Sequence, residues 1–442
     1  MLMKLSLYTI LFERDNKFYL YNSETEFLSL LSEDIYEKLY NGAYNEIEKE
    51  FIDVLKEKKI IIDDEHQYDF YDSCKLSYLS NIGVTDSLSL VIAPTTGCNF
   101  ACPYCFEGEK KTKVISDDVI ENLICFINGY SSVKKLDLTW YGGEPLMAFD
   151  KIKQIILKIR NNCKVKICSQ SIITNGYLLS DNVIRDMINL GFTEIQISFD
   201  GDEENHNKTR FLKGNKGRTF AKIINNLDNL VRQVPDDFKI DLRINVNKDN
   251  ENDFAPLYKK FIQRYGTHKV NPYPGFIRET SKDGCKMCYK SLFDIKRFQF
   301  YKRIEKEGVP VDFFPHIDLQ KGCMVNRNSS FIIGPSGEMY KCWNDFNSPE
   351  RIIGNIQNDK LKNPTLVSHY LYDTSIYNTQ KCKDCALFPV CDGGCQWFKH
   401  KNIFEGKQYN TCCFLNNQQI LKECLLEHAK KDKEDSYKIY AI

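Results

Sequence analysis

Between residues 86 and 275 six short apolar, β-branched stretches alternate with five longer ones that carry apolar residues at helical spacing. The strand candidates are "SLSLVIAP", "KLDLTW", "SQSIITN", "EIQISFD", "KIDLRINV" and "HKVNPYP". Between them lie "SDDVIENLICFING", "AFDKIKQIILKIRNN", "LSDNVIRDMINLG", "RTFAKIINNLDNLVRQ" and "DNENDFAPLYKKFIQRYG". Such alternation argues for a parallel sheet covered by helices. Six units rather than eight predict an α/β fold that closes only part of a TIM-type barrel, a partial (β/α)6 barrel over 84–275. Chemistry in such folds gathers at the C-terminal ends of the strands. The unusual residues fall there: "GCNFACPYC", "YGGEP", "TNG" and "DG" follow the first four strands in turn.

The chain has 442 residues, too many for one small core. Residues 1–83 read as a separate unit with a winged-helix-like pattern. "KLSLYTILFE" and "KFYLYN" suit strands. "SETEFLSLLSEDIYEKLYNG" and "YNEIEKEFIDVLKEKKIIID" suit helices, with Ser23 or Thr25 capping the first and Gly42 ending it. "DDEHQYDFYDSCKLSYLSNIGVTDS" is polar and unpatterned, and reads as a linker. Residues 276–320 form a bridge without strong period, holding Cys285 and Cys288. Residues 321–425 are cysteine-rich with turn-forming Gly and Pro, and 426–442 are a charged, solvated tail.

Lys+Arg and Asp+Glu each number 60, so charge gives no drive toward nucleic acid or an anionic membrane. No apolar run approaches the roughly 20 residues that span a bilayer. The opening "MLMKLSLYTILFERD" lacks a small-residue cleavage site and reads as a first strand rather than an export signal. A cytoplasmic setting is expected. Eighteen cysteines in such a chain point to bound metal rather than to a disulfide scaffold.

Cys98, Cys102 and Cys105 are spaced C-x3-C-x2-C. A structural zinc closes with four protein ligands. Three thiolates on one loop can instead hold three corners of a four-iron cluster, leaving one iron open to an amino and carboxylate pair such as a methionine carries. The plainer alternative is a zinc loop with a fourth ligand from elsewhere.

With the aromatic Tyr104 just before the last cysteine, this spacing resembles the radical S-adenosylmethionine (radical SAM) enzymes. "GGEP", with Gly142, Gly143 and Glu144, resembles the family stretch that binds the SAM amino group, and glycines let backbone approach a ligand. "QISFDG", with Ser198, Asp200 and Gly201, and "HNKTR", with Arg210 twelve positions after Ser198, continue the likeness. It implies that Ser198 and Arg210 bind the SAM carboxylate or ribose. Arg243 in "DLRINV" suits the carboxylate through its guanidinium fork, and Asn175 in "TNG" faces the same cavity. The implied chemistry is one-electron: a reduced cluster cleaves SAM to a 5′-deoxyadenosyl radical, which removes hydrogen from an unactivated carbon. No H-E-x-x-H pattern or catalytic triad competes with this reading.

A second cysteine field follows: Cys323, Gly337, Cys342, then Cys382, Cys385, Cys391 and Cys395 in "CKDCALFPVCDGGC", then the doublet Cys412 and Cys413. C-x2-C pairs alone suggest zinc. The ordered spacing resembles the SPASM extension, which carries auxiliary clusters and would bring the total to three [4Fe–4S] clusters. That resemblance implies Cys323, Cys342 and Cys395 for the first auxiliary cluster, and Cys382, Cys385, Cys391 and Cys413 for the second. Cys413 is preferred to Cys412 on spacing alone. The fourth position of the first is open, or filled by Cys285 or Cys288. Cys74, Cys125, Cys163, Cys168 and Cys424 are expected to be buried as small apolar residues.

Relatives with this extension modify peptides or proteins. Anaerobic sulfatase maturases carry an Asp directly after the second cysteine of the extension; here that position is Trp343, and the nearest Asp is Asp345. Peptide maturases often begin with a small winged-helix-like domain that binds the leader of a ribosomally made precursor. Residues 1–83 suit that role, with the leader adding as a strand to a sheet edge. The expectation is a peptide-maturing enzyme that forms an intramolecular cross-link. A thioether is favoured, with a bond to carbon or oxygen as the other outcomes, and electrons come from a flavodoxin- or ferredoxin-like donor. Formylglycine formation in a sulfatase, and a non-catalytic zinc-bearing peptide binder, are the alternatives.

Overall fold

The computed structural model describes residues 3–83, 86–105, 111–278, 288–289, 295–319, 322–358 and 361–431. Near the N-terminus come β1 (Met3–Leu5), β2 (Thr9–Arg14), β3 (Lys17–Asn22), β4 (Phe27–Leu31), α1 (Glu33–Asn41), α2 (Lys49–Glu57), β5 (Ile61–Asp63) and α3 (Asp69–Gly83). β2, β3 and β4 form an antiparallel sheet, and β1 pairs with β5. The expected helix from Ser23 is in part a strand. "FLSLL" pairs with β3 in the register Phe18↔Leu31 to Asn22↔Phe27, and the helix begins only at Glu33. Ser32 caps it by accepting from Ile35 N, and Gly42 ends it in the left-handed conformation at φ 72°. Ser23 and Thr25 serve the preceding turn, where the Asn22 side chain takes the Glu24 and Thr25 amides at 2.9 and 3.1 Å.

The expected linker is α3. Its apolar side chains follow no single stripe, so periodicity missed it; tyrosines hold it instead. Tyr71 OH donates to Tyr377 O at 3.0 Å and Tyr68 OH to Asp384 at 3.0 Å. The unit is docked on the cysteine-rich part of the chain: Phe12 and Tyr21 share a core with Phe298, Leu387, Leu421 and Leu425.

The barrel then runs β6 (Ser87–Ile92), α4 (Asp117–Gly129), β7 (Lys135–Trp140), α5 (Phe149–Asn162), β8 (Lys166–Thr174), α6 (Asp181–Asn189), β9 (Glu194–Phe199), α7 (Glu203–Thr209), α8 (Phe220–Gln233), β10 (Lys239–Val246), α9 (Phe254–Tyr265) and β11 (Asn271–Phe276). All six expected strands and all five expected helices form; α7 is the helix that was not read. The six strands are parallel in the order β11-β10-β9-β8-β7-β6. This is the α/β fold of a partial TIM barrel.

Strand alternation divides the sheet sharply. Leu136, Leu138 and Trp140, Ile195, Ile197 and Phe199, and Ile240, Leu242 and Ile244 are buried under the helices. The residues between them, Asp137, Thr139, Gln196, Ser198, Asp241 and Arg243, are polar and half-buried on the opposite, concave face. Hydrogen bonds cross that face: Ser169 to Asp137 at 2.6 Å and Tyr273 to Gln196 at 2.6 Å.

Beyond the barrel come α10 (Ile295–Lys306), β12 (Ser330–Ile333), β13 (Glu338–Tyr340), β14 (Gly354–Asn355), α11 (Pro364–Ser368), α12 (Gln380–Lys383), α13 (Gln396–Phe404) and α14 (Gln418–Lys431). The bridge thus contains a helix, α10, whose Phe300 and Ile304 join the barrel core. β12 pairs in parallel with β6, so the barrel sheet continues into β13 and β14. Gly337, at φ 80°, closes the β12–β13 turn. The expected tail is helical through Lys431; residues 432–442 lie outside the described ones.

Candidate active site

The cysteine loop leaves β6 and is tied down on both sides. Thr95 and Thr96 donate to Lys113 O and Lys111 O at 2.7 and 3.0 Å. Ala101 N donates to Phe211 O at 3.1 Å, and Lys213 N to Asn99 O at 2.8 Å. Cys98, Cys102 and Cys105 sit on this loop, the first two half-buried and the third exposed. Burial pushes the Cys98 thiol up to about 12, with Glu144, Cys102 and Cys105 adding to it. Burial likewise lifts Cys102 to about 11, against the pull of Arg210. Protons therefore leave these sulfurs only when a cation replaces them.

Gly142 and Gly143 meet this loop. A Cβ on Gly142 would lie 2.4 Å from Thr95 O, and one on Gly143 2.3 Å from Gly97 O. Gly143 N and Glu144 N donate to Thr95 O and Gly97 O at 3.1 and 2.8 Å. The glycines are thus required by contact between two strand-end loops, and these two amides are already engaged. Glu144 is buried, and its carboxylate accepts from Thr174 Oγ1 at 2.7 Å, Leu146 N at 3.0 Å and Asn175 N at 2.8 Å. Of roughly four lone-pair positions on a carboxylate, three are used, leaving room for one ammonium proton. Asn175 donates to Asn99 Oδ1 at 2.8 Å, beside the cysteines.

Tyr104, Asp200 and Arg210, three of the candidate site residues, come together. Tyr104 OH donates to Asp200 Oδ2 and accepts from Arg210 Nη1 at 3.1 Å. Arg210 Nη1 lies 3.7 Å from Asp200 Oδ1. Three further residues were not read from the sequence. Asn245 donates to Asp200 Oδ1 at 2.9 Å, and Thr209 to Asp200 Oδ2 at 2.7 Å. His206 accepts from Asp200 N at 3.4 Å through Nδ1, so its other nitrogen carries the proton toward Thr219 Oγ1, 3.2 Å away. Burial keeps that imidazole neutral, its pKa well below the usual range. Asn245 was legible only by alternation: it is two residues after Arg243 on β10, and Arg243 Nε donates to it at 3.0 Å. Ser198 and Arg243 are cross-strand neighbours.

Two buried donors at this mouth have no partner: Asn99 Nδ2 and Arg210 Nε. Orphaned donors beside three thiols fit a ligand rich in acceptors, and the all-cysteine donor set fits a soft iron–sulfur group. Among the described residues no three His, Cys, Asp or Glu side chains converge closely enough to hold a single metal ion.

The later cysteines gather in two sets. Cys323, Cys342 and Cys395 form the first: burial lifts the Cys323 and Cys342 thiols, and the nearby Cys395 sulfur adds to both. Arg278, just beyond β11, places Nη1 3.8 Å from Cys395 Sγ. Cys382, Cys385 and Cys391 form the second set, and both members of the doublet reach it: Cys412 lies within the field of Cys382 and Cys385, while Cys413 shares a hydrogen bond with the Cys391 thiol. Cys288 is buried and disulfide-bonded, and Cys285 lies outside the described residues. Cys74 and Cys424 are buried as expected. Cys125 and Cys168 are instead exposed, because they fall on the solvent side of α4 and near the start of β8.

Residues 92–261 match the Radical SAM superfamily. The chain is an enzyme built on a radical SAM domain. It is 26% identical over 374 residues to the cysteine-type anaerobic sulfatase-maturating enzyme of Clostridium novyi (strain NT), covering 74% of this chain and 92% of that one. Among solved structures, native anSMEcpe with bound AdoMet and Cp18Cys peptide superposes with a TM-score of 0.59 at 19% identity, covering 78% of this chain and 99% of that chain. Streptococcus suis SuiB bound to precursor peptide SuiA gives 0.50 at 17%, covering 89% and 95%. At these identities the two structures compare folds. The barrel fold is therefore common ground with both, and SAM and a [4Fe–4S] cluster are the cofactors expected of a radical SAM domain.

Proposed function

We propose that this radical SAM enzyme matures a ribosomally made precursor peptide by joining two of its residues, with a thioether favoured over a bond to carbon or oxygen. Cys98, Cys102 and Cys105 would hold a cluster which, with SAM bound, would supply the one-electron chemistry that removes hydrogen from a substrate carbon. The chain's own residues orient and shield. Glu144 and Asn175 take the amino end of SAM. Arg210, held by Asp200 and Tyr104, takes an acceptor group with its free Nε, and Ser198 and Arg243 line the floor. Auxiliary clusters sit on Cys323, Cys342 and Cys395, and on Cys382, Cys385, Cys391 and one of the doublet. A flavodoxin- or ferredoxin-like donor supplies electrons in the cytoplasm. Exposed free thiols such as Cys125 and Cys168 fit a reducing compartment. No helix among the described residues is long and apolar enough to cross a membrane.

The observation that carries the reading is the N-terminal unit. Its sheet has β2 and β4 as outer strands, and it is fixed to the bridge through Tyr21 OH to Pro315 O at 3.1 Å and to the cysteine-rich part through Ser23 Oγ to Ala386 O. A leader added to either edge would be held at a set distance from the barrel mouth. A winged-helix-like leader-binding role for residues 1–83 follows.

The sulfatase-maturase reading rests on the Clostridium novyi relative, which is matched over 92% of its length. Trp343 weighs against it. It occupies the position after Cys342, and its ring packs edge-on against Tyr141 at 4.7 Å, beside the glycine loop. The test is mass spectrometry of a precursor peptide encoded beside this protein, incubated anaerobically with SAM and reductant. Loss of two hydrogens, with fragmentation blocked inside one segment, is expected. An unchanged peptide despite SAM cleavage would sink the cross-linking reading. A sulfatase peptide that gains a hydrazine-reactive carbonyl would establish the other.

A further inference from the structure

Two lysines, one buried and one half-buried, hide their ammonium groups beside the later cysteines, and they differ in one respect. Lys341, next to Cys342, is fully buried, and its Nζ donates to Ser330 O at 2.8 Å and to Arg327 O. Its charge is already used to tie a loop. Lys399 Nζ is also shut off from solvent but has no hydrogen-bond partner. The groups whose field it feels are Cys382, Cys391 and Cys412, and more weakly Asp392. Asp392 is exposed and spends its carboxylate on Gly394 N at 2.8 Å. A buried ammonium without an anion is strongly disfavoured, so this one is built to face negative charge on the sulfurs.

The carrier of Lys399 explains the aim. Helix α13 begins at Cys395, its N-cap, and Lys399 N donates to Cys395 O at 3.1 Å in the first turn. One helical turn therefore presents a thiol to the first set and an ammonium to the second. The turn before it is locked against the doublet: a Cβ on Gly394 would lie 2.2 Å from Thr411 O.

We propose that Lys399 is a positioning residue for charge at the second thiol set. Its ammonium raises the reduction potential of the group held there. The effect rests on the reading that the second set holds an iron–sulfur cluster. A cation beside such a cluster favours its more negative, reduced form.

The test uses the anaerobically reconstituted full chain with Cys98, Cys102 and Cys105 replaced by Ala, so that only the auxiliary centres contribute. Iron and zinc are counted, and the centres are titrated potentiometrically by electron paramagnetic resonance. In Lys399→Gln the reduced fraction of one centre at a fixed potential should fall at least tenfold, equivalent to about 59 mV for one electron. Lys399→Arg should restore it. A titration of Lys399→Gln that overlays the parent, or of Lys399→Arg displaced as far as Lys399→Gln, would overturn the proposal. If Lys399→Gln loses iron, Lys399→Arg decides: retained iron and parent potential support the role of charge, and loss in both overturns it. Zinc in place of that iron in the parent would overturn the cluster reading itself, which the metal count reports before any potential is measured.

Discussion

The barrel mouth and the cysteine-rich region both present thiols, yet they are built in opposite ways. At the mouth, long strands fix the geometry. Asp200 alone ties together Tyr104, Thr209 and Asn245 from three separate segments, and the glycine loop locks on the cysteine loop by direct backbone contact. Past β14 the chain forms mostly short turns and helices of a few residues until α13. Its second thiol set leaves a buried ammonium unpaired. The lesson is that strand geometry positions the barrel cysteines, whereas on the proposed reading the later region depends on what its cysteines would hold.

The largest break between the two regions should come from replacing Cys98, Cys102 and Cys105 together by Ala. SAM cleavage should vanish while roughly two-thirds of the iron remains, with elemental analysis and 5′-deoxyadenosine assay as the readouts. Equal loss of iron from both regions would erase the distinction.

Asp200→Asn sharpens it from the barrel side. The change leaves the buried Arg210 guanidinium without its counter-charge, and breaking such a pair costs about 3 kcal/mol or more. Denaturant unfolding should show the loss, and SAM binding should weaken at least tenfold. An unchanged midpoint would mean that Tyr104 suffices to hold Arg210.

A smaller effect belongs to the later region and depends on pH. His400 is buried; its Nδ1 lies 3.3 Å from Arg351 Nη1 and its Nε2 3.2 Å from His369 Nδ1. Arginine only donates, so Nδ1 accepts and the proton is on Nε2. Burial, then Arg351 and His369, hold its pKa down to about 4 from 6.5. The unfolded chain binds this proton first, so folding loses stability as pH falls from about 6.5 toward 4, by at most about 3 kcal/mol. Asp345, lifted to about 6 by burial, acts the other way: the folded state takes its proton first, and stability rises as pH falls from about 6 toward 3.8. His400→Gln should therefore gain stability over the parent as pH drops from 6.5 to 4.5. Parallel pH curves for the two proteins would remove His400 from the account.

The same contrast governs what the sequence made legible. Barrel strands and helices announce themselves because one face is apolar at period two or 3.6; β9 and α5 were read within a residue or two of their ends. The cysteine positions were legible because thiolate chemistry is written in residue type and spacing. Asn245, Thr209 and His206 were not, because Asn, Thr and a lone His have no telling pattern until strands are laid side by side. α3 escaped because its grip is tyrosine hydroxyls on distant carbonyls. β4 was misread because "FLSLL" fits a helix as well as a strand, and only its pairing with β3 decides. β12 escaped because four residues carry no period and its partner, β6, is more than 200 positions earlier.

The most direct test of the contrast is hydrogen exchange read by mass spectrometry on the reconstituted protein and on the same protein stripped of iron. Protection should collapse across 380–416 on stripping while β6 to β11 keep theirs. Strands of the barrel opening as readily as the cysteine-rich region, or that region staying closed without iron, would contradict the account.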